Sequence, residues 1–180
     1  MTATASPTYD RSTRPAPDEF APYYGTYINK VADGDIVRAL RTQIVDTAAF
    51  VRSIPESKGG HRYAPGKWSI REVVGHLCDA ERIFGYRALR FARGDTTPLP
   101  GFDENEFMKV ARFDDRTLAS MVAEFEAVRG ATVALFDALV AEEWPRHGTA
   151  SGKEMSVRAL AWVIAGHELH HVGVLKERYL

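Results

Sequence analysis

Hydrophobic residues recur every three or four positions in four segments of the chain, which is the period of an amphipathic α-helix. These segments are residues 35–54, 69–94, 118–140 and 156–180. Ser69 and Glu72 have the S-x-x-E spacing of a capping box at the start of the second helix. Asp115 or Thr117 is the expected N-cap of the third helix, and Ser156 is the expected N-cap of the last.

The segments between the predicted helices define the rest of the architecture. No segment alternates hydrophobic and polar residues between turn signals, so the sequence predicts no β-sheet. Residues 95–117 form a long connection with about one helical turn at residues 105–110. We therefore predict an all-α fold, a four-helix bundle with one long connection, formed by residues 31–180 as one domain. Residues 1–30 are rich in Pro, Ser and Thr, and we expect an irregular arm, mobile or lying on the surface, outside the helical core.

Composition and charge exclude several classes of partner. The 180 residues carry 23 basic and 24 acidic side chains and a net charge of −1, which gives no attraction to nucleic acid or an anionic membrane. No hydrophobic run approaches the roughly 20 residues of a membrane span. A single cysteine, Cys78, cannot form an intramolecular disulfide, so we expect a cytoplasmic protein.

Histidines are concentrated in the last predicted helix, in the segment AGHELHHVGVLK. His167 and His171 lie four residues apart and therefore share one helix face, which is a metal-ligand spacing. His76, midway along the second predicted helix, is the expected third ligand because ligands in a bundle converge from facing helices. His170 points about 100° away from His171 and is expected in a supporting, surface or structural role. The alternative is that these histidines are simply packed or hydrogen-bonded.

Other chemically active residues lie close to the predicted ligands. Asp79 and Glu168 could orient a ligand imidazole or position a substrate, or could form ordinary salt bridges. Cys78 points away from the predicted site and is expected to be a small core residue. Arg87 and Arg90 could bind an acidic group of a thiol cofactor, but we expect them on a solvated helix face and assign them no role.

The segment HELHH also matches H-E-x-x-H, in which two histidines bind zinc and the glutamate is the general base of a metalloprotease. The sequence has neither the H-x-x-G-x-x-H extension nor a downstream helix with a third ligand, and no strand to align a peptide. We therefore do not interpret this segment as a protease motif.

Three groups of residues carry a family resemblance: YAPGKWSIREVVGHLCDAERI, RALRFARGD with LPGFDENEF, and GHELHHVGVLKERYL. Over residues 35–180 the chain resembles the DinB-like superfamily, most closely its YfiT branch of metal-dependent hydrolase relatives. The resemblance implies a four-helix bundle and a divalent metal bound by His76, His167 and His171. It also implies a homodimer. The activities it implies are those of the superfamily: transfer of a thiol, thiol-dependent isomerisation, or the hydrolysis for which the YfiT branch is named.

We expect zinc or nickel at this site, with iron or manganese as alternatives, because neutral imidazoles bind several divalent ions. Three protein ligands leave a coordination position open for water or a thiol, whose pKa the metal would lower. The leading hypothesis is transfer of a low-molecular-weight thiol, such as bacillithiol or mycothiol, to a small electrophile. The alternatives are hydrolysis of a small ester or amide, and a non-catalytic metal-binding bundle.

Overall fold

Four long helices form the body of the protein, as the hydrophobic period predicts. The computed structural model describes residues 11–180. Its helices are α1 (Gly25–Ile28), α2 (Ile36–Arg52), α3 (Ile70–Ala92), α4 (Glu104–Val110), α5 (Leu118–Asp137) and α6 (Val157–Arg178). Single 3-10 turns lie at Pro17–Glu19, Pro22–Tyr24, Glu56–Lys58, Phe113–Asp115 and Ala141–Glu143. The predicted four-helix bundle is confirmed, and α4 lies within its one long connection.

The bundle has a crossed arrangement, in which α2 and α3 each pack mainly against α5 and α6. Helices α2 and α3, and likewise α5 and α6, therefore lie diagonally across the bundle from each other, whereas α3 and α5 are neighbours. Among residues 11–180, no helix has both the length and the apolar character that crossing a membrane requires.

Side-chain caps fix where the long helices begin. The Ser69 hydroxyl accepts from the Glu72 amide at 3.1 Å, and the Glu72 carboxylate accepts from the Ser69 amide at 2.7 Å. The Thr117 hydroxyl accepts from the Ser120 amide at 3.1 Å, so Thr117 caps α5. Ser156 caps α6 as predicted. Each such cap is worth about 1 kcal/mol to its helix.

The expectation that the chain contains no β-sheet was wrong. Strands β1 (His147–Ala150) and β2 (Lys153–Ser156) form an antiparallel hairpin. Ser151 and Gly152 form its turn with φ values of 54° and 71°, the left-handed region that a tight two-residue hairpin needs at both positions. The strands are only four residues long and mostly polar, so hydrophobic alternation could not reveal them. Leu99 of the long connection pairs with Ala150 and adds to the edge of the hairpin.

The expectation that residues 1–30 lie outside the helical core also needs correction. Residues 1–10 lie outside the described part of the chain. Residues 17–28 contain two 3-10 turns and α1, which packs against α6. Ile28 is fully buried in the main hydrophobic cluster. The division of the chain at residue 30 stays a prediction.

The hydrophobic core is divided into two clusters along the bundle axis. Between them lies a group of buried or largely buried polar side chains, which we call the polar layer. Its members are Gln43 and Thr47 of α2, His76 and Glu81 of α3, Arg129 of α5, and His167, Glu168 and His171 of α6. Every long helix contributes to this layer.

Glycines precede two of the three predicted metal ligands and allow close packing there. A Cβ atom on Gly75 would lie 2.5 Å from the Phe113 ring. A Cβ atom on Gly166 would lie 2.1 Å from the backbone oxygen of Tyr27, so α1 can approach α6 only where no side chain intervenes. Backbone atoms cannot rotate away from such a clash.

We therefore expect the Gly166→Ala variant to be less stable by about 1–3 kcal/mol, the usual cost of forcing extra atoms into a packed core. The matched control is Gly173→Ala in the same helix, where a Cβ would meet nothing within 4 Å. That control should be more stable by up to about 1 kcal/mol because alanine favours the helix. Urea unfolding measures both values, and equal effects of the two substitutions would contradict the packing argument.

Candidate metal centre

Three imidazoles converge where α3 packs against α6. The Nε2 atom of His167 lies 3.0 Å from Nε2 of His76 and 3.1 Å from Nε2 of His171. The donor atoms of the three rings all lie within 4.8 Å of one another. The spacing of His167 and His171 puts both on one face of α6, and helix packing brings His76 to them. The structure thus brings together the three residues that the sequence predicted as ligands.

The distances between these nitrogens fit a shared cation. Two imidazoles bound to one tetrahedral zinc ion at about 2.0–2.1 Å have their nitrogens roughly 3.3 Å apart. A hydrogen bond between two neutral imidazoles joins one N–H to one lone pair. Here Nε2 of His167 faces the Nε2 atoms of both other rings, so one such bond does not satisfy the arrangement.

Burial keeps these imidazoles neutral, which is the form that binds a metal. It lowers the pKa of His76 to about 4. Burial and the neighbouring His76 and His170 lower the pKa of His171 to about 3. The pKa of His167 falls well below its ordinary value, first through burial and then through the other two rings. All three groups therefore present lone pairs at neutral pH, a donor set that suits zinc, nickel and iron.

A buried ion cluster in the polar layer lies directly beside these imidazoles. Arg129 donates to both carboxylate oxygens of Glu81, at 2.7 and 2.9 Å. Its Nη1 atom lies 2.5 Å from the carboxylate of Glu168, which also accepts from the Thr47 hydroxyl. Burial raises the pKa of Glu168. The two carboxylates offset the charge of the Arg129 guanidinium, which by itself lowers the pKa of His167 and helps to keep that imidazole neutral.

Tyrosines from the N-terminal segment cover one side of the centre, and sequence analysis missed them. The Tyr27 ring lies 5.2 Å from the His167 ring and 5.5 Å from the His170 ring. The Tyr23 and Tyr27 hydroxyls are hydrogen-bonded at 2.8 Å. The spacing of Tyr24, Tyr27, Ile28 and Val31 is helical, and this signal could have shown that the segment packs against the bundle.

Two separate cavities reach the three histidines. The narrow cavity, about 140 Å³, contacts His76 and His167. Its walls include Tyr24, Tyr27, Phe84, Arg87, Glu104 and Ser151. The wide cavity, about 310 Å³, contacts His170 and His171. Its walls include Tyr63, Lys67, Trp68, Asn105, Val174 and Tyr179. The centre is thus open to small molecules from two directions.

The three residues predicted to support the ligands lie in different environments. Asp79 lies 3.8 Å from Arg82, on the side of α3 that neighbours Glu124. No hydrogen bond or ion pair joins it to a histidine within residues 11–180. Glu168 pairs with Arg129 in the core, so its carboxylate is not placed as a metalloprotease base. His170 is half-buried and lines the wide cavity without joining the three converging rings.

Cys78, Arg87 and Arg90 of α3 lie in three different environments. Cys78 is buried, as expected, and burial raises the pKa of its thiol to about 12. Arg90 is partly exposed and pairs with Asp95. The expectation that Arg87 lies on a solvated face was wrong, because Arg87 is only 2% exposed and lines the narrow cavity. The hairpin and the long connection cover this part of α3, and neither position could be read from the period of the helix.

Comparison with known proteins places this architecture among characterised folds. A sequence model of the DinB superfamily matches residues 39–175. A protein of Oceanobacillus iheyensis, named as a predicted metal-dependent hydrolase, is 25% identical over 128 residues. The match covers 70% of this chain and 73% of that protein.

Solved structures share the fold at lower sequence identity. YfiT from Bacillus subtilis, described as a probable metal-dependent hydrolase with an unusual four-helix bundle topology, superposes with a TM-score of 0.68 at 18% identity. That match covers 79% of this chain and 82% of YfiT. A mycothiol-dependent maleylpyruvate isomerase superposes with a TM-score of 0.66 at 11% identity, over 81% of this chain and 61% of the isomerase. These likenesses establish the fold alone.

The buried ion cluster should contribute strongly to the free energy of unfolding. Arg129→Met should cost about 3–5 kcal/mol of the free energy of unfolding, because it leaves the carboxylates of Glu81 and Glu168 buried without a counterion. Glu168→Gln should cost less, because Arg129 and Glu81 remain paired. The control is Arg82→Met, which removes an arginine side chain that is 50% exposed and should cost less than about 1 kcal/mol. Urea unfolding of the metal-free variants measures this order, and an Arg129→Met variant as stable as the control would contradict it.

Proposed function

The chain belongs to the DinB superfamily, and from this premise we propose that it is a metal-dependent transferase of a low-molecular-weight thiol to a small electrophile. The observation that carries the proposal is the position of the three histidines between two cavities with different walls. A transfer reaction needs two reactants at one centre, and each cavity gives one of them a separate approach. The isomerase with the same fold is named for its dependence on a thiol, mycothiol, which supports this choice.

The residues present fit a resident divalent ion, with zinc or nickel preferred and iron or manganese as alternatives. His76, His167 and His171 would hold it through Nε2, and three protein ligands leave a position open for a reactant. The metal would lower the pKa of a bound thiol or water and so supply a nucleophile near neutral pH.

The protein's own residues organise the proposed reaction. Burial of the three imidazoles keeps them unprotonated, so they do not compete with the reactants for protons. The aromatic walls of both cavities exclude water from the reacting groups, which strengthens electrostatic interactions there. In the transfer, a sulfur–carbon bond forms as the bond from carbon to the leaving group breaks. The leaving group takes the bonding electrons, and the thiol proton passes to solvent.

A second candidate function is metal-dependent hydrolysis of a small ester or amide. The names of the Oceanobacillus protein and of YfiT favour it. The same centre and cavities would then act on water and one substrate. A third candidate is a metal-binding bundle without catalysis. We further propose a cytoplasmic protein that acts on small molecules, binds neither nucleic acid nor membrane, and forms a homodimer.

Metal content tests the centre itself. After metal loading and desalting, we expect about one divalent ion per chain in the wild type, and loss of that ion in His76→Ala and His171→Ala, because two imidazoles hold a metal weakly. His147→Ala is the control, since His147 is exposed on β1. Elemental analysis gives the result, and equal metal content in all four proteins would refute the three-histidine centre.

Metal removal should also lower thermal stability. An ion present at about 100 times its Kd stabilises the folded state by about 2.7 kcal/mol. For a domain of this size we therefore expect a chelator to lower Tm by roughly 5–10 °C. A His171→Ala variant should show no such shift. A chelator-induced shift of the same size in that variant would place the stabilising ion elsewhere.

Turnover distinguishes the candidate functions. We expect the metal-loaded protein to conjugate cysteine to monochlorobimane, and the His76→Ala variant to lose this activity, with product measured by fluorescence. Hydrolysis of para-nitrophenyl acetate without any thiol, together with no conjugation, would support the hydrolase instead. Metal binding without either activity across a panel of thiols, electrophiles and esters would support the non-catalytic bundle.

A further inference from the structure

Arg87 is a buried cation at the wall of the narrow cavity. Its side chain is 2% exposed, and it lies on α3 three helical turns beyond His76. The Phe84 ring lines the same cavity as Arg87, His76 and His167, with its centroid 5.9 Å from the guanidinium carbon of Arg87 and 5.9 Å from the His167 ring. A molecule in the narrow cavity can therefore reach both the guanidinium and the histidines.

The partners of Arg87 differ from those of the other buried arginines. Arg129 pairs with Glu81 and Glu168, and Arg158 pairs with Glu19. Within residues 11–180, Arg87 forms no ion pair with a carboxylate. It donates instead to neutral oxygens, the Pro100 carbonyl at 3.0 Å and the Ser151 hydroxyl at 3.0 Å, and it also interacts with the phenol of Tyr24.

An unbalanced guanidinium is costly to bury, because water is removed and no opposite charge replaces it. Burial accordingly lowers the pKa of Arg87. Glu104 also lines the cavity, but no ion pair joins its carboxylate to Arg87, and its charge raises the pKa values of the Tyr24 and Tyr27 phenols. The missing counterion of Arg87 is therefore not supplied by this wall of the cavity. Both hydrogen bonds to neutral oxygens hold the guanidinium in place for an external anion.

We propose that Arg87 binds a carboxylate group of one reactant in the narrow cavity, while another part of the same molecule meets the histidines. The contact of this molecule with the histidines rests on the proposed function. Binding of its carboxylate by Arg87 does not. A volume of about 140 Å³ admits a small acid, since a cavity of about 150 Å³ binds benzene.

The source of the carboxylate can be either the thiol or the electrophile, because both cavities reach the same centre. A pair of charged and neutral analogues distinguishes the two. Mercaptopropionate is compared with mercaptopropanol, and bromopropionate with bromopropionamide. The reactant, thiol or electrophile, whose charged analogue is preferred over its neutral analogue carries the carboxylate.

Calorimetric binding of propionate and its neutral isostere propionamide tests the proposal without turnover. We expect the wild type to bind propionate at least about tenfold more tightly, the value of one charge-assisted hydrogen bond. The preference should persist after chelation, because Arg87 and not the metal anchors the acid. Arg87→Met should abolish it, and Glu104→Gln should increase it. Arg90→Met is the matched control on the same helix and should leave the preference unchanged.

Equal binding of propionate and propionamide to the wild type would overturn the proposal, whatever the variants do. So would a preference that survives in Arg87→Met or disappears on chelation, because the carboxylate would then be bound elsewhere. If Arg87→Met does not fold, the Arg87→Lys variant replaces it and should weaken propionate binding by removing the planar fork. A carboxylate preference without any thiol conjugation would keep this inference and refute the transferase.

Discussion

The ion cluster of Arg129 with Glu81 and Glu168 is the interaction on which the rest of the structure depends. It occupies the middle of the bundle, where burial makes charge expensive, and each member is tolerated only because the others are present. Its members come from α3, α5 and α6, and Gln43 of α2 accepts from the same guanidinium. The packing of all four long helices is therefore constrained at one level.

The same constraint explains why a metal centre can exist there. His167 precedes Glu168 on α6, so the carboxylate that pairs with Arg129 also fixes the rotation of the helix that carries two of the imidazoles. Gly166 lets the N-terminal segment approach on the other side, where Tyr27 covers the His167 ring. The ion pairs, the rotation of α6 and the covering tyrosine thus support one geometry, in which neutral imidazole nitrogens converge next to a buried ion cluster.

The fold and the chemistry have separate origins in this protein. The helical bundle is common to relatives whose names refer to hydrolysis and to thiol-dependent isomerisation, so it does not select a reaction. Selection would rest with the cavity walls, to which segments outside the four long helices also contribute: the N-terminal tyrosines, the long connection and the hairpin turn at Ser151. Arg87 illustrates the point, because its helix gives its position but the hairpin and connection give its burial and partners.

The sequence by itself determined the four long helices, their caps at Ser69 and Ser156, and the pairing of His167 with His171, because these depend on spacing within one helix. It also indicated His76, since a bundle directs ligands inward. Only the tertiary structure decided that the N-terminal tyrosines cover the centre, that a hairpin forms at residues 147–156, and that Glu168 faces Arg129 while Arg87 is buried. Each of these depends on contacts between segments far apart in the chain. Local periodicity specifies which face of a helix is apolar, but not which segment will cover it.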